Sequence, residues 1–239
     1  MKRLLKKLVG ETTYEVLQGV YGRIRVMLFD ARRRLCESCG SYKYSKVSLN
    51  GIDDKLVPYL NFNGGFFIEA GANDGVSQSN TYFLERALGW RGVLVEPVPR
   101  LFKKCRRNRR NSVVFNCALV SPENEGTDVS ICDMGARGLL SRVSEGKSAS
   151  DGVVTRTCGR TLTSILTELE VEQIDFFSLD VEGYELEVLR GMDFSRFVPS
   201  LILIETAQVE KVDKSLFPYY ERVAQLTHHD YLYQSKTRG

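Results

Sequence analysis

The sequence predicts an α/β fold in which a mostly parallel sheet carries helices on both faces. From Phe66 onwards, apolar runs with strand character alternate with stretches of helical character, as expected for βαβ units. Several of these runs end in an acid, and one of them leads into a glycine turn. The 239 residues, of which 43% are hydrophobic, are enough to form one large core.

Individual elements follow from the periodicity of the apolar residues. Strands are predicted at 67–70, 93–96, 113–118, 174–180 and 201–205. Helices are predicted near 81–88, 100–108, 162–170, 185–189 and 216–226. The stretch 121–160 is rich in Gly, Ser, Asp and Glu, which predicts an inserted loop or hairpin over the sheet edge, where substrate specificity often resides.

The first predicted strand ends in Glu69 and continues into a turn that contains Gly71 and Gly75. Glycine lets a backbone bend sharply and approach a ligand closely. The spacing Glu-x-Gly-x-x-x-Gly differs from the Gly-x-Gly-x-x-Gly turn that binds a dinucleotide pyrophosphate. A carboxylate at this turn favours a nucleoside that carries positive charge and an amino group, such as S-adenosylmethionine.

The second predicted strand ends in Glu96, which Pro97 follows. In doubly wound folds an acid at the end of the second strand accepts hydrogen bonds from ribose hydroxyls, about 20 residues after the glycine turn. The distance from Gly71 to Glu96 is close to that spacing. Either acid alone could be a solvated strand end, but the pair indicates a nucleoside site.

Two further strands also end in acids. Asp180 ends the apolar strand at 174–180, with Glu182 and Glu185 just beyond it, and Glu205 ends the strand at 201–205. The carboxyl ends of parallel strands meet at one sheet edge, where open α/β sheets bind ligands. We therefore expect these acids beside the glycine turn. Glu182 and Glu185 could instead stabilise a helix N-terminus.

Together these motifs resemble the FkbM family of S-adenosylmethionine-dependent methyltransferases, from about Phe66 to about Glu205. The resemblance rests on the segments Glu69-Ala70-Gly71-Ala72-Asn73-Asp74-Gly75, Val95-Glu96-Pro97, Thr161-Leu162, Asp175-Phe176-Phe177-Ser178-Leu179-Asp180-Val181-Glu182-Gly183-Tyr184-Glu185 and Val188-Leu189-Arg190-Gly191. It implies a Rossmann-like class I methyltransferase fold with a seven-stranded or edge-truncated sheet. It also implies O-methylation of a sugar, a glycan or another hydroxylated metabolite.

The resemblance further implies roles for individual residues. The methionine end of the cofactor would be held by Glu69, Gly71, Asn73 and Gly75, with Asp180 also at the cofactor. Glu96 would hold the ribose, next to Pro97. Cys117 and Ala118 would lie near the adenine.

An alcohol is a poor nucleophile, so methyl transfer to oxygen calls for a group that removes the hydroxyl proton. Asp180 and Glu182 are the candidate bases. Alternatively, Asp180 and Glu205 could bind a divalent ion such as Mg²⁺, which would lower the pKa of the hydroxyl.

Residues 1–60 are expected to form a helical lid or extension before a main domain at 61–239. The segment to Leu35 is basic and amphipathic, and Gly10, Gly19 and Gly22 are expected to break its helix. Packing on the sheet is the simpler interpretation. The alternative is peripheral contact with a membrane or a partner through basic residues, namely Lys2, Arg3, Lys6, Lys7 and Arg32 to Arg34.

Charge and length limit the function classes. The formal net charge of +3 gives no reason to expect a nucleic-acid partner. The run 103–110 is the densest basic cluster, and we interpret it as a solvated helix face. No apolar run reaches the ~20 residues that span a bilayer, which favours a cytoplasmic location. A non-catalytic nucleoside-binding module and a nicotinamide-dependent oxidoreductase remain alternatives to a methyltransferase.

Overall fold

The computed structural model describes residues 11–133, 142–143 and 153–237. These residues divide into two compact units, one ending at Lys46 and the other beginning at Val47. The helices are α1 (Glu11–Ser38), α2 (Ile52–Leu60), α3 (Tyr82–Leu88), α4 (Pro99–Asn108), α5 (Leu162–Glu168), α6 (Glu185–Arg190) and α7 (Val209–Leu216). The strands are β1 (Phe66–Ala70), β2 (Arg91–Val95), β3 (Val113–Phe115), β4 (Ala118–Leu119), β5 (Asp128–Asp133), β6 (Arg142–Val143), β7 (Val153–Arg160), β8 (Phe176–Leu179), β9 (Leu201–Glu205), β10 (Tyr220–Gln225) and β11 (Asp230–Ser235).

Seven strands form the main sheet of the second unit in the order β10-β11-β9-β8-β1-β2-β3. Strands β9, β8, β1, β2 and β3 are parallel, and β11 runs antiparallel to both β9 and β10. The mostly parallel seven-stranded sheet is therefore confirmed, and the edge-truncated alternative is not needed. The helix predicted at 216–226 is wrong, because α7 ends at Leu216, the first residue of that range, and β10 occupies Tyr220–Gln225.

Both faces of the sheet are buried, which explains the continuous apolar runs in the sequence. Successive residues of one strand belong to different core clusters, as Phe67 and Ile68 of β1 do. Residues of α5, α6 and α7 pack in the cluster with Ile68. Residues of α2 and α3 pack in the cluster with Phe67, around the fully buried Trp90. The predicted helices on both faces are present.

The helix α2 belongs to the second unit, not to the N-terminal one. Its residues Ile52, Leu56 and Leu60 are buried in the same core cluster as β1 and β2. The compact second unit thus begins before residue 60, the limit that the sequence suggested for the N-terminal extension.

A second sheet of four strands has the order β4-β7-β5-β6. Its longest pairing joins β5 and β7 in antiparallel register, from Asp128 opposite Cys158 to Asp133 opposite Val153. The strand predicted at 113–118 is split by this arrangement, since β3 lies in the main sheet and β4 in the second one. Asn116 stands between them and donates from its side-chain amide to the carbonyls of Glu96 and Pro97.

In the first unit, α1 runs unbroken from Glu11 to Ser38. The predicted breaks at Gly19 and Gly22 are wrong, because a helical glycine costs only about 1 kcal/mol relative to alanine and blocks no backbone hydrogen bond. Gly10 lies outside the described residues. Within the part of the chain that the structure describes, no helix combines the length and apolarity needed to cross a membrane.

Candidate functional site

A cleft opens at the carboxyl ends of β1, β2 and β8, the edge where ligands of open α/β sheets bind. Strand β1 lies between β2 and β8, because the chain places β2 and β3 on one side of β1 and, later in the sequence, β8 and β9 on the other side. The loop after β1 is therefore flanked by Glu96 on one side and Asp180 on the other. This placement follows from strand order, since each acid directly follows its strand.

Most of the predicted site residues line this cleft. They are Glu69, Gly71, Asn73, Glu96, Pro97, Cys117, Ala118, Asp180 and Glu182. Two predicted residues, Gly75 and Glu205, are not among its lining residues. The structure therefore gathers acids from three strand ends around one cleft, while the fourth, Glu205, does not line it but interacts with Asp180.

Glu96 is a buried carboxylate held by the backbone. One oxygen accepts from the amide of Asn73 at 2.8 Å and the other from the amide of Val98 at 2.8 Å. Burial raises the pKa of Glu96 to about 7, although these two amides and the guanidinium of Arg100 oppose the increase. Each oxygen keeps a free lone pair, so the fixed carboxylate can still accept a hydrogen bond from each of two hydroxyls.

Gly71 is required by the protein's own packing. Its φ is +82°, and a Cβ on this residue would lie 1.8 Å from the backbone oxygen of Asp180. The sequence suggested that the glycine makes room for a ligand, but the ends of β1 and β8 use that space. The absence of a side chain at Gly71 allows the carbonyl of Asp180 to pack directly against the turn.

Glu69 is held chiefly by the protein's own hydrogen-bond donors. One of its oxygens accepts from the amide of Asn80. The other accepts from the hydroxyls of Ser79 and Thr81 and from the guanidinium of Arg109 at 3.2 Å. Glu69 is 4% exposed, and its bonds hold the segment 79–81 against the end of β1. This arrangement favours a positioning role over the direct cofactor contact that the family resemblance implied.

Arg109 is the centre of this buried network. Its side chain is fully buried and also donates to Glu85 at 2.9 Å and to the carbonyl of Gly75 at 3.1 Å. A Cβ on Gly75 would lie 2.7 Å from the side chain of Arg109, so this glycine, too, is required by internal packing. The interpretation of 103–110 as a solvated face is therefore wrong at Arg109, which follows the end of α4 and turns inward.

Asp180 is half-buried and close to three other acids. Burial raises its pKa well above the usual range, and the charges of Glu205, Glu182 and Glu185 raise it further. Asp180 and Glu205 are hydrogen-bonded through their side chains, so the pair shares a proton. A carboxyl group whose pKa is raised in this way is a stronger base than an ordinary aspartate.

The two acids after Asp180 have different surroundings. Glu185 is buried in the first turn of α6, and its carboxylate accepts from the amide of Gly183 at 2.7 Å, which supports the helix-stabilising interpretation. Glu182 is exposed at the cleft and has a φ of +55°, an unusual backbone conformation for a residue other than glycine. Such strain is common at functional sites.

Sequence reasoning missed the residues that come to the cleft from loops and from the second sheet. Asn80 is the most informative: its amide nitrogen donates to the hydroxyl of Ser178 at 3.0 Å, while its buried Oδ1 has no partner among the described residues. Ile131 of β5 and Leu101 of α4 add to the apolar side formed with Ala118. Among the described residues that line the cleft, only Asn80 has a buried side-chain oxygen without a partner, which is a direct sign of a ligand, and no sequence signal pointed to it.

The structure gives no support to the predicted metal site. In the described ranges, no group of three or more His, Cys, Asp or Glu side chains is arranged to hold a metal ion. Asp180 and Glu205 are instead joined by a hydrogen bond, because burial and the repulsion between two carboxylates favour protonation of one of them. We derive no step through a metal.

Comparisons with known proteins address the identity of this domain. The family model for the methyltransferase FkbM domain matches residues 69–233, over half of the chain. A comparison with curated proteins finds no match.

Three solved structures are among those found similar to this chain. The FkbM methyltransferase of Methylobacillus flagellatus KT is 12% identical with a TM-score of 0.46; the alignment covers 85% of this chain but only 59% of that one. Aeropyrum pernix fibrillarin, solved with natively bound S-adenosyl-L-methionine, is 16% identical over 78% of this chain and 80% of that one, with a TM-score of 0.44. A TehB-like methyltransferase of Corynebacterium glutamicum is 9% identical over 90% of this chain and 100% of that one, with a TM-score of 0.41.

The family match contains the β1 turn, both acids that flank it and the strand pair at the sheet edge. The fold around them is the predicted Rossmann-like class I methyltransferase fold, with β11 inserted antiparallel between β9 and the edge strand β10. The chain belongs to the FkbM methyltransferase domain family, as its motifs predict.

Proposed function

We propose that this chain transfers a methyl group from S-adenosylmethionine to a hydroxyl group of a sugar, a glycan or another hydroxylated metabolite. The observation that carries the proposal is the pair of acids, Glu96 and Asp180, on either side of the turn at Gly71. One acid is fixed by the backbone and suited to hydroxyl groups, and the other has a raised pKa suited to proton transfer.

The residues of the cleft fit this cofactor. Glu96 would accept hydrogen bonds from the ribose hydroxyls through its two remaining lone pairs. Leu101, Ala118 and Ile131 would cover an adenine ring with apolar surface. The orphan Oδ1 of Asn80 would accept a hydrogen bond from the ammonium group. When bound, S-adenosylmethionine supplies a methyl group already activated by the sulfonium.

Glu69 would act mainly through other residues, since four internal donors already engage its carboxylate, three of them at one oxygen. By fixing the segment 79–81, it holds Asn80 beside Ser178 at the floor of the cleft. This indirect role replaces the direct one expected for Glu69 and leaves the ammonium to Asn80 and to the carbonyl groups near Gly71.

Asp180 is the group that would accept the hydroxyl proton of the acceptor. Its raised pKa brings the carboxylate closer to the proton affinity that base catalysis needs near neutral pH. The pair already shares one proton, so that proton would have to move onto Glu205 before the carboxylate of Asp180 could accept a second one from the hydroxyl. Glu182, exposed at the same rim, is the second candidate and would contact the acceptor more directly.

A binding experiment tests the cofactor first. We expect S-adenosylhomocysteine, but not NADH, to bind the full chain in isothermal titration calorimetry. Glu96→Gln should weaken binding by at least about tenfold, since one hydrogen bond to a charged group contributes about 1.5–3 kcal/mol. The matched control is Glu172→Gln, at an exposed acid outside the cleft. Binding of NADH in preference would refute the proposal.

A radiolabelled methyl-transfer screen over glycans and hydroxylated small molecules, with and without a chelator, then tests activity. Asp180→Asn should lower the rate by about 10²–10⁴-fold, the usual contribution of a general base. It should leave the affinity for S-adenosylhomocysteine within a few-fold of the original. Binding without transfer to any acceptor would instead favour the non-catalytic module.

A further inference from the structure

The helix α1 of the first unit exposes a continuous apolar stripe. With successive residues 100° apart around the helix axis, eight large apolar side chains fall within one sector of the helix. These side chains are 45–67% exposed and belong to Val16, Leu17, Val20, Tyr21, Ile24, Met27, Leu28 and Leu35. We call this sector the apolar stripe. Contiguous exposed apolar surface of this kind marks an interaction site rather than scattered surface variation.

Charges are sorted around the stripe by sign. By the same helical spacing, Arg25 and Arg32 follow one border of the stripe and Arg34 follows the other, and all three are exposed. Asp30 lies about 40° and Glu37 about 60° beyond the border marked by Arg34, and both bind Arg33, which is buried. An arginine thus stands next to the stripe at each border, and Asp30, the nearest acid among the side chains that the structure describes, is paired with Arg33.

We propose that α1 lies in the plane of an anionic lipid surface, with the apolar stripe inserted and the bordering arginines at the headgroups. Long arginine side chains can place their charge at the headgroups while their stems cover apolar surface. A helix of 28 residues is about 42 Å long, enough for several turns of contact. The preceding sequence adds four cations, Lys2, Arg3, Lys6 and Lys7.

A second copy of the chain is a poorer occupant of the stripe. Helices that pair through an apolar seam place charges of opposite sign at its borders, so that they attract across the interface. Here the exposed borders carry arginines, and two copies would bring like charges together. Anionic lipid headgroups, in contrast, complement these arginines by about 1 kcal/mol per cation near the membrane surface.

Vesicle co-sedimentation of the full chain tests this proposal. We expect binding to phosphatidylcholine vesicles that contain about one third phosphatidylserine, and at least about tenfold weaker binding to phosphatidylcholine alone or at high salt. The triple variant Leu17→Ser, Ile24→Ser, Leu28→Ser should reduce binding at least about tenfold. The matched control is the double variant Val26→Ser, Phe29→Ser, because these exposed residues lie on the opposite side of the helix.

Two further measurements keep the result unambiguous. Circular dichroism and binding of S-adenosylhomocysteine should be unchanged in the triple variant, so that weaker vesicle binding cannot be attributed to unfolding. Charge reversal by Arg25→Glu, Arg32→Glu and Arg34→Glu should abolish the preference for anionic vesicles. Absence of vesicle binding by the original chain, or a dimer in sedimentation velocity that the triple variant dissociates, would overturn the proposal in favour of a protein partner.

Discussion

Arg109→Ala removes the cation around which the cofactor side of the sheet is built. The guanidinium contacts five acceptors, on Glu69, Glu85, Gly75, Ser79 and Thr81, and its side chain is fully buried. The substitution leaves two buried carboxylates without their cation. Breaking a buried ion pair by removing one partner costs about 3–5 kcal/mol, and here a cavity is created as well. We expect a loss of unfolding free energy of at least about 4 kcal/mol.

The conservative substitution Arg109→Lys makes the reasoning more specific. A lysine keeps the charge but has at most three donors on one nitrogen, so it cannot serve all five acceptors that surround the guanidinium. At least one buried acceptor then loses its partner, at about 1–3 kcal/mol. Arg109→Lys should therefore lie between the original chain and Arg109→Ala in stability.

The assay is urea unfolding followed by the fluorescence of Trp90, the single tryptophan, which is fully buried beside β1. Arg110→Ala is the matched control, since the next residue is exposed, and it should change stability by less than about 0.5 kcal/mol. If Arg109→Ala cost less than about 1 kcal/mol, or no more than Arg110→Ala, the network would not support the fold as described.

Three other predictions concern the cleft. Because burial raises the pKa of Glu96 to about 7, its ionised form is lost as pH falls through that value. Calorimetry should therefore show the affinity for S-adenosylhomocysteine declining from pH 8 to 6, by up to about tenfold per pH unit below the pKa. A pH-independent affinity, or an equal decline in Glu96→Gln, would contradict this. Gly71→Ala places a Cβ 1.8 Å from a backbone oxygen and should lower the free energy of unfolding in urea by at least about 3 kcal/mol. The control Gly89→Ala should lower it by about 1–2 kcal/mol, because Gly89 has a φ of +67° but open space around it. Equal losses in the two variants would refute the packing role of Gly71. Asn80→Ala should weaken the binding of S-adenosylhomocysteine, whereas Ser178→Ala, which removes only the hydroxyl beside Asn80, should have a smaller effect. Unchanged affinity in Asn80→Ala would exclude Asn80 as an acceptor for the ammonium group.

Where sequence reasoning failed, long-range pairing decided the outcome. The segment 216–226 has apolar residues at spacings that suit a helix, but β10 forms there because β11 offers it an antiparallel partner. A register shift between Arg222 and Ala224 interrupts the two-residue alternation that would have revealed the strand. The run 103–110 likewise looked uniformly basic, and nothing local distinguishes buried Arg109 from exposed Arg110.

The sequence by itself determined that acids follow the parallel strands, that a glycine turn follows the first of them, and which family the chain belongs to. It could do so because strand periodicity and turn chemistry are local properties of the chain. Only the tertiary structure decided which of those acids face a ligand. Glu69 is neutralised by Arg109, which lies 40 residues away along the chain, whereas Glu96 keeps lone pairs open to the cleft and Asp180 is paired with Glu205. A carboxylate's role depends on the donors that surround it, and these come from distant segments that only folding brings together.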